Sequence, residues 1–292
     1  MTTVGILASS SAISPAALTD GIAYWEKKGY DVRLSPHVYS QERFLAGSDE
    51  ERLNDLHAFF ENDEVDIIVE AGGGYGSSRL LPKIDYDLIA AHKKPLIGLS
   101  DTTALQLALL AKSNLVSFSG YLMKKRFNRA FVPYTEQSLF DCLNANEQTV
   151  PCLETEYYGK PIEGQLVGGC LSLVVSVVGT SYFPRTKGAI LILEDLHEEP
   201  YVIDRMLSQL ENAGVFNQVA AVVFGVFLEC KSKDPADGTV EDVLNEWKDR
   251  IKVPVFFGLP YGHQEGSLVF PVGGTGVLDS GRLIIKGTDF NG

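Results

Sequence analysis

Long hydrophobic runs are missing from this 292-residue sequence. The longest apolar stretches, near residues 171–178 and 219–228, fall well short of the ~20 residues that cross a bilayer. Basic residues are scarce: 25 Lys and Arg stand against 38 Asp and Glu, a formal net charge of −13. A surface this negative repels phosphate backbones and anionic headgroups, so neither nucleic acid nor a membrane is expected as a partner. Cysteine is sparse too. Cys142, Cys152, Cys170 and Cys230 show no C-x-x-C spacing, which argues against a disulfide framework or a structural zinc site. The five histidines (His37, His57, His92, His197, His263) are scattered and form no H-E-x-x-H, so no metal and no other cofactor is expected. The segment Met1-Thr2-Thr3-Val4-Gly5-Ile6-Leu7 lacks the basic region and apolar length of a signal peptide. A reduced, cytoplasmic protein is the simplest expectation.

What is present is enough apolar residue, 45%, to bury a sizeable core, in a length that fits about two domains. Short apolar runs at residues 3–8, 31–34, 65–70, 95–99 and 115–119 read as strands. Between them, 15–28, 49–62, 86–93 and 102–112 read as helices, with another at 135–144. Such alternation predicts a doubly wound parallel sheet, whose sites lie at the carboxyl ends of its strands. Residues 147–161 read as a linker. They separate an α/β domain, 1–150, from a β-rich α+β domain, 162–292. In the second half, 189–193 and the nearly all-apolar 219–228 are strands. Ile203, Met206, Leu207 and Leu210 fall at i, i+3, i+4, i+7, one buried helix face. Thr239 is placed to cap a helix with Val240, Val243, Leu244 and Trp247 inward. The tail (267–272, 276–278, 282–286) reads as β, with Asp279-Ser280-Gly281 as a turn.

Four segments can carry chemistry. In Gly98-Leu99-Ser100-Asp101-Thr102 a buried strand runs into a helix. A serine on such a turn projects its hydroxyl above the sheet, and the following amide points where an oxyanion forms. The same serine is also a favoured helix cap, and this segment alone leaves both readings open. Glu70-Ala71-Gly72-Gly73-Gly74-Tyr75-Gly76-Ser77-Ser78-Arg79 follows a strand. Its glycines let backbone amides approach a ligand. It does not fit G-x-G-x-x-G and lacks G-K-[ST], so a nucleotide cradle is weakly supported; an oxyanion loop beside Ser100 fits better, and a plain tight turn is the alternative. Glu194 and Asp195 end a buried strand, where a carboxylate can orient a histidine. His197, Glu198 and Glu199 read as a solvated loop. His263 follows a strand in a Gly/Pro loop, a place for a general base; His57 and His92 read as surface residues.

Taken in order, these segments resemble the serine LD-carboxypeptidase family (muramoyltetrapeptide carboxypeptidases), which also includes microcin C self-immunity peptidases. The resemblance rests on Gly73 to Pro82, Gly98 to Leu105, Gly168-Gly169-Cys170-Leu171-Ser172-Leu173, Leu193-Glu194-Asp195 with Pro200 to Arg205, and Gly262-His263. It implies a Ser100–Glu194–His263 triad and an oxyanion hole from the backbone amides of Gly74 and Asp101. It implies an N-terminal domain like that of class I glutamine amidotransferases and an active site between the two domains. A homodimer and a murein peptide substrate, cut between a diamino acid and terminal D-alanine during cell-wall recycling, are further implications. The microcin C type, cutting an aminoacyl-sulfamoyl adenylate, is the alternative. A non-catalytic peptide binder and an α/β-hydrolase esterase are weaker readings. Two positions depart from the family pattern. Gly72 stands where an arginine is frequent, so any contact from that arginine must be absent or supplied elsewhere. Cys170 stands in place of an asparagine and is expected to pack as a small buried residue.

Overall fold

The computed structural model describes residues 1–124, 132–151 and 153–288; Cys152 lies outside them. The first half builds a sheet from β1 (Thr3–Leu7), β2 (Asp31–Leu34), β3 (Ile67–Glu70), β4 (Leu96–Gly98) and β5 (Ser117–Ser119). These strands run parallel in the order β5-β4-β3-β1-β2. The crossovers carry α1 (Pro15–Lys27), α2 (Asp49–Glu61), α3 (Tyr86–Ala91) and α4 (Thr102–Ser113), with α5 (Pro133–Leu143) following β5. Each helix starts where the chain chemistry permits. Pro15 and Pro133 open α1 and α5, as suits a residue without an N–H. Ser48 and Glu51 form a capping box at α2.

The second half builds a seven-stranded mixed sheet. β7 (Ile162–Cys170), β8 (Ile190–Leu196), β9 (Ala221–Leu228) and β10 (Val255–Phe256) are parallel. β12 (Thr275–Asp279) and β13 (Arg282–Ile285) form a hairpin that joins β7 antiparallel. Its turn places Ser280 and Gly281 at φ 50° and 73°, the left-handed pair that a tight hairpin requires. The helices here are α6 (Leu171–Val177), α7 (Pro200–Asn212) and α8 (Val240–Arg250). The expected α7 face is buried, and Thr239 caps α8 in a box with Asp242.

Two short strands pair away from their sequence neighbours. β6 (Gln148–Val150), inside the stretch read as a linker, closes the second sheet against β13. β11 (Phe270–Val272) returns to the first sheet and pairs antiparallel with β5. Between the sheets lies α4, whose residues from Thr102 to Leu110 are all buried. A helix buried around its whole circumference is packed on every side, and one apolar core accordingly runs from Leu7 and Leu96 through Leu105 to Leu166, Leu191 and Phe224. No helix among the described residues is long and apolar enough to cross a membrane.

Candidate active site

Segments singled out by the sequence follow the carboxyl ends of β3 and β4 or lie at those of β7 and β8, and α4 begins just after β4. β4 ends at Gly98 and the chain turns sharply into α4. The turn forces Ser100 to φ 66°, a left-handed conformation that costs a residue bearing a Cβ on the order of 1–3 kcal/mol. This bears on the cap reading that the sequence left open for Ser100. The helix cap is Asp101, not Ser100, and α4 receives no side-chain cap. The Ser100 backbone carbonyl accepts from Thr103 N at 2.9 Å. The hydroxyl makes no hydrogen bond among the described residues.

The glycine loop lies against this serine. A Cβ at Gly73 would sit 2.9 Å from Ser100 Cβ and 3.1 Å from its Oγ, so only glycine permits the approach. Tyr75 N donates to Ser11 Oγ at 3.1 Å, which pins the loop to the end of β1. Among the described residues neither the Gly74 nor the Asp101 amide donates to a protein acceptor.

Glu194 sits on β8 and is fully buried. Its Oε2 lies 2.8 Å from His263 Nδ1, and its Oε1 has no hydrogen-bond partner among the described residues. Burial pushes the Glu194 carboxyl above its ordinary value, and the contact with His263 opposes that rise. When Nδ1–H donates to this carboxylate, the ring's lone pair is on Nε2, as a general base needs. Gly262 makes the contact possible: at φ 134°, a Cβ there would lie 2.7 Å from Glu194 Oε2.

Two links bring the histidine and the serine to the same edge. Tyr261 OH hydrogen-bonds Ser119 Oγ at 2.8 Å, and Ser119 is the register partner of Gly98, two residues before Ser100. On the other side, Glu194 is in register with Cys170, and Cys170 N donates to Thr103 Oγ1 at 3.2 Å. These links tie the segment that carries Ser100 and Asp101, in the first half, to those that carry Glu194 and His263, in the second.

The Cys170 thiol is buried beside Asp195, at 3.4 Å from its Oδ1, and burial pushes it well above the ordinary thiol value. It packs as a neutral group. Asp195 spends its carboxylate locally, accepting from Ser172 N and Leu196 N, both at 2.8 Å. His197 is exposed in its loop, as its sequence context implied. His57 is half-buried and accepts from Asp85 N at 2.9 Å, so it is a structural residue more than a surface one. Gly72 packs against Lys124, whose Cδ would be 3.1 Å from a Cβ at that position. A cationic side chain therefore occupies the place where the family arginine would begin.

Sequence reasoning missed a second, fully buried layer beneath the loop: Ser10, Glu70, Ser77 and the side chain of Asp101. The run Ser9-Ser10-Ser11 directly after a strand was the one available signal for it.

Two family models match the chain in order. The LD-carboxypeptidase N-terminal domain covers residues 4–120, and the LD-carboxypeptidase C-terminal domain covers 163–278. A probable murein peptide carboxypeptidase of Bacillus subtilis is 35% identical, over 95% of this chain and 89% of its own length. The murein tetrapeptide carboxypeptidase of Pseudomonas aeruginosa is 32% identical, over 96% of this chain and 94% of its own. The crystal structure of a muramoyltetrapeptide carboxypeptidase from Oxalobacter formigenes superposes with a TM-score of 0.89 at 31% identity, covering 99% of both chains.

Proposed function

The chain belongs to the LD-carboxypeptidase family, and on that premise we propose that it releases terminal D-alanine from murein tetrapeptides through a Ser100–His263–Glu194 triad. The observation that carries the triad is the buried 2.8 Å contact between Glu194 and His263, set at the same edge as a serine held at positive φ.

In this reading His263 Nε2 takes the Ser100 proton as Oγ attacks the scissile carbonyl. Glu194 holds the ring by Nδ1 and stabilises the imidazolium that forms. The amides of Gly74 and Asp101 receive the oxyanion, each such donor being worth ~3 kcal/mol. The carbon–nitrogen bond breaks, His263 protonates the leaving amine, and D-alanine departs. Water then attacks the acyl-enzyme, giving its proton to His263 as Ser100 is restored. Murein peptides carry carboxylates, and a chain of net charge −13 needs a local cation to receive them. The division into domains 1–150 and 162–292, the homodimer and the cytoplasmic location rest on the sequence pattern and the family resemblance.

The test is mass spectrometry of murein tri-, tetra- and pentapeptide after incubation with the protein. Tetrapeptide loses one alanine with the parent chain and not with a folded Ser100→Ala. Turnover retained by Ser100→Ala would remove the nucleophile assignment. Hydrolysis of an aminoacyl-sulfamoyl adenosine with the tetrapeptide left intact would favour the microcin C type instead.

A further inference from the structure

Aspartate is among the best helix N-caps because its carboxylate can bond the free amides of the first turn. Asp101 stands at the N-cap of α4 and does not do so. Its side chain turns away from its own helix and into the buried layer under the glycine loop. There Oδ2 accepts from Ser10 Oγ at 2.6 Å and from Ser77 N at 2.7 Å. Ser77 Oγ returns a bond to the Asp101 backbone carbonyl at 2.6 Å. Asp101 is 1% exposed, and Ser10 and Ser77 are wholly buried.

These bonds fasten the glycine loop just after Gly74. Downstream, Ser77 is tied to Asp101 through both its amide and its hydroxyl. Nearer to Gly74, Ser11 on the segment after β1 accepts from Tyr75 N, and its neighbour Ser10 is tied to the same carboxylate. The chain directly after Gly74 is thereby tied down at Tyr75 and at Ser77, and both ties lead back to one side chain. That side chain belongs to the residue whose own amide is the other oxyanion donor.

We propose that the Asp101 carboxylate is a positioning residue that sets the spacing between the Gly74 and Asp101 amides, and so tunes the oxyanion hole without touching substrate. The proposal rests on the reading of Ser100 as nucleophile. Beneath it lies Glu70, whose Oε2 accepts from Ser9 N at 3.1 Å. Glu70 Oε1 and Asp101 Oδ1 are both buried with no hydrogen-bond partner among the described residues. Burial pushes Glu70 up to about 7, the neighbouring Asp101 adding to the rise and Arg52 opposing it. A protonated Glu70 relieves the repulsion that two buried carboxylates would otherwise exert on the loop.

The experiment measures kcat and KM for free murein tetrapeptide in Asp101→Ala, Asp101→Asn and Ser10→Ala. It also measures inhibition by a peptide boronate that mimics the tetrahedral state. In Asp101→Ala, kcat is expected to fall about 100-fold, the scale of one misplaced oxyanion donor, with KM changed by less than about threefold. Boronate affinity falls in parallel with kcat. Asp101→Asn, whose carbonyl oxygen still accepts both bonds, recovers kcat to within about tenfold of the parent. Ser10→Ala keeps the Ser77 anchor and takes an intermediate kcat. If Asp101→Ala does not fold, the Asn and Ser10 variants decide alone. A folded Asp101→Ala with parental kcat overturns the proposal, as does an Asp101→Asn as impaired as the alanine. Those outcomes leave the nucleophile assignment standing, whereas an active Ser100→Ala would remove that assignment itself.

Discussion

Glu70 ends β3 with its carboxyl enclosed on all sides, and desolvation is the first cause of its raised affinity for a proton. Its value moves from an ordinary 4.5 to about 7. The folded state therefore binds this proton more tightly than the unfolded chain does. The resulting stability is complete below about pH 4.5 and is lost as pH rises through 7. The loss is on the order of 3 kcal/mol if this group acts alone. Glu70→Gln is expected to flatten the decline of Tm between pH 5 and pH 8, and to exceed the parent in Tm at pH 8. Thermal melts across that range check it, and a parental slope in the variant would count against a buried, protonated Glu70. At this scale the sequence nominated the candidate reactive groups: Ser100 and His263 each follow a strand, and Glu194 lies near the end of one. It was silent on Asp101 as a brace, because Ser10 lies 91 residues away from it in the chain.

Elements were legible wherever periodicity ran long enough. The helix face of Ile203, Met206, Leu207 and Leu210 is buried as α7, and the capping signal at Thr239 was sufficient to start α8. β6 was not legible, since three residues are too few to reveal an alternation. The loop between β10 and β11 shows how an element's end serves the site. Gly262 there combines φ 134° with contact against both Glu194 and Val226 O. A side chain at this point must either strain the backbone or push Glu194 off His263. Gly262→Ala should therefore cost about 1–3 kcal/mol of stability and lower kcat at least tenfold. Denaturant unfolding together with tetrapeptide turnover tests this. Parental turnover in the variant would show that the Glu194–His263 contact tolerates displacement.

Over the whole molecule, the two halves are joined by more than the connecting chain. α4 is packed on every side, Thr103 accepts from Cys170 N, and β11 from the second half pairs with β5 of the first. Separate domains commonly unfold separately, but here neither half completes its core alone. The chain's two tryptophans report on this, because Trp25 is buried in the first half and Trp247 in the second. In urea, the fluorescence of Trp25→Phe and of Trp247→Phe should each coincide with that variant's far-UV circular dichroism. Two separated midpoints would mean that the halves unfold independently.

The sequence by itself determined most of the elements and nominated the reactive groups. Both are written locally, in hydrophobic periods, caps, and glycines beside a serine or a histidine. Tertiary structure alone decided which oxygen Asp101 would offer to Ser10 and Ser77, and that Ser119 would hold Tyr261 from 142 residues away. It also decided that Lys124 would stand beside Gly72. Such contacts depend on which strand ends meet when two sheets close on one buried helix, and no local pattern along the chain encodes that closure.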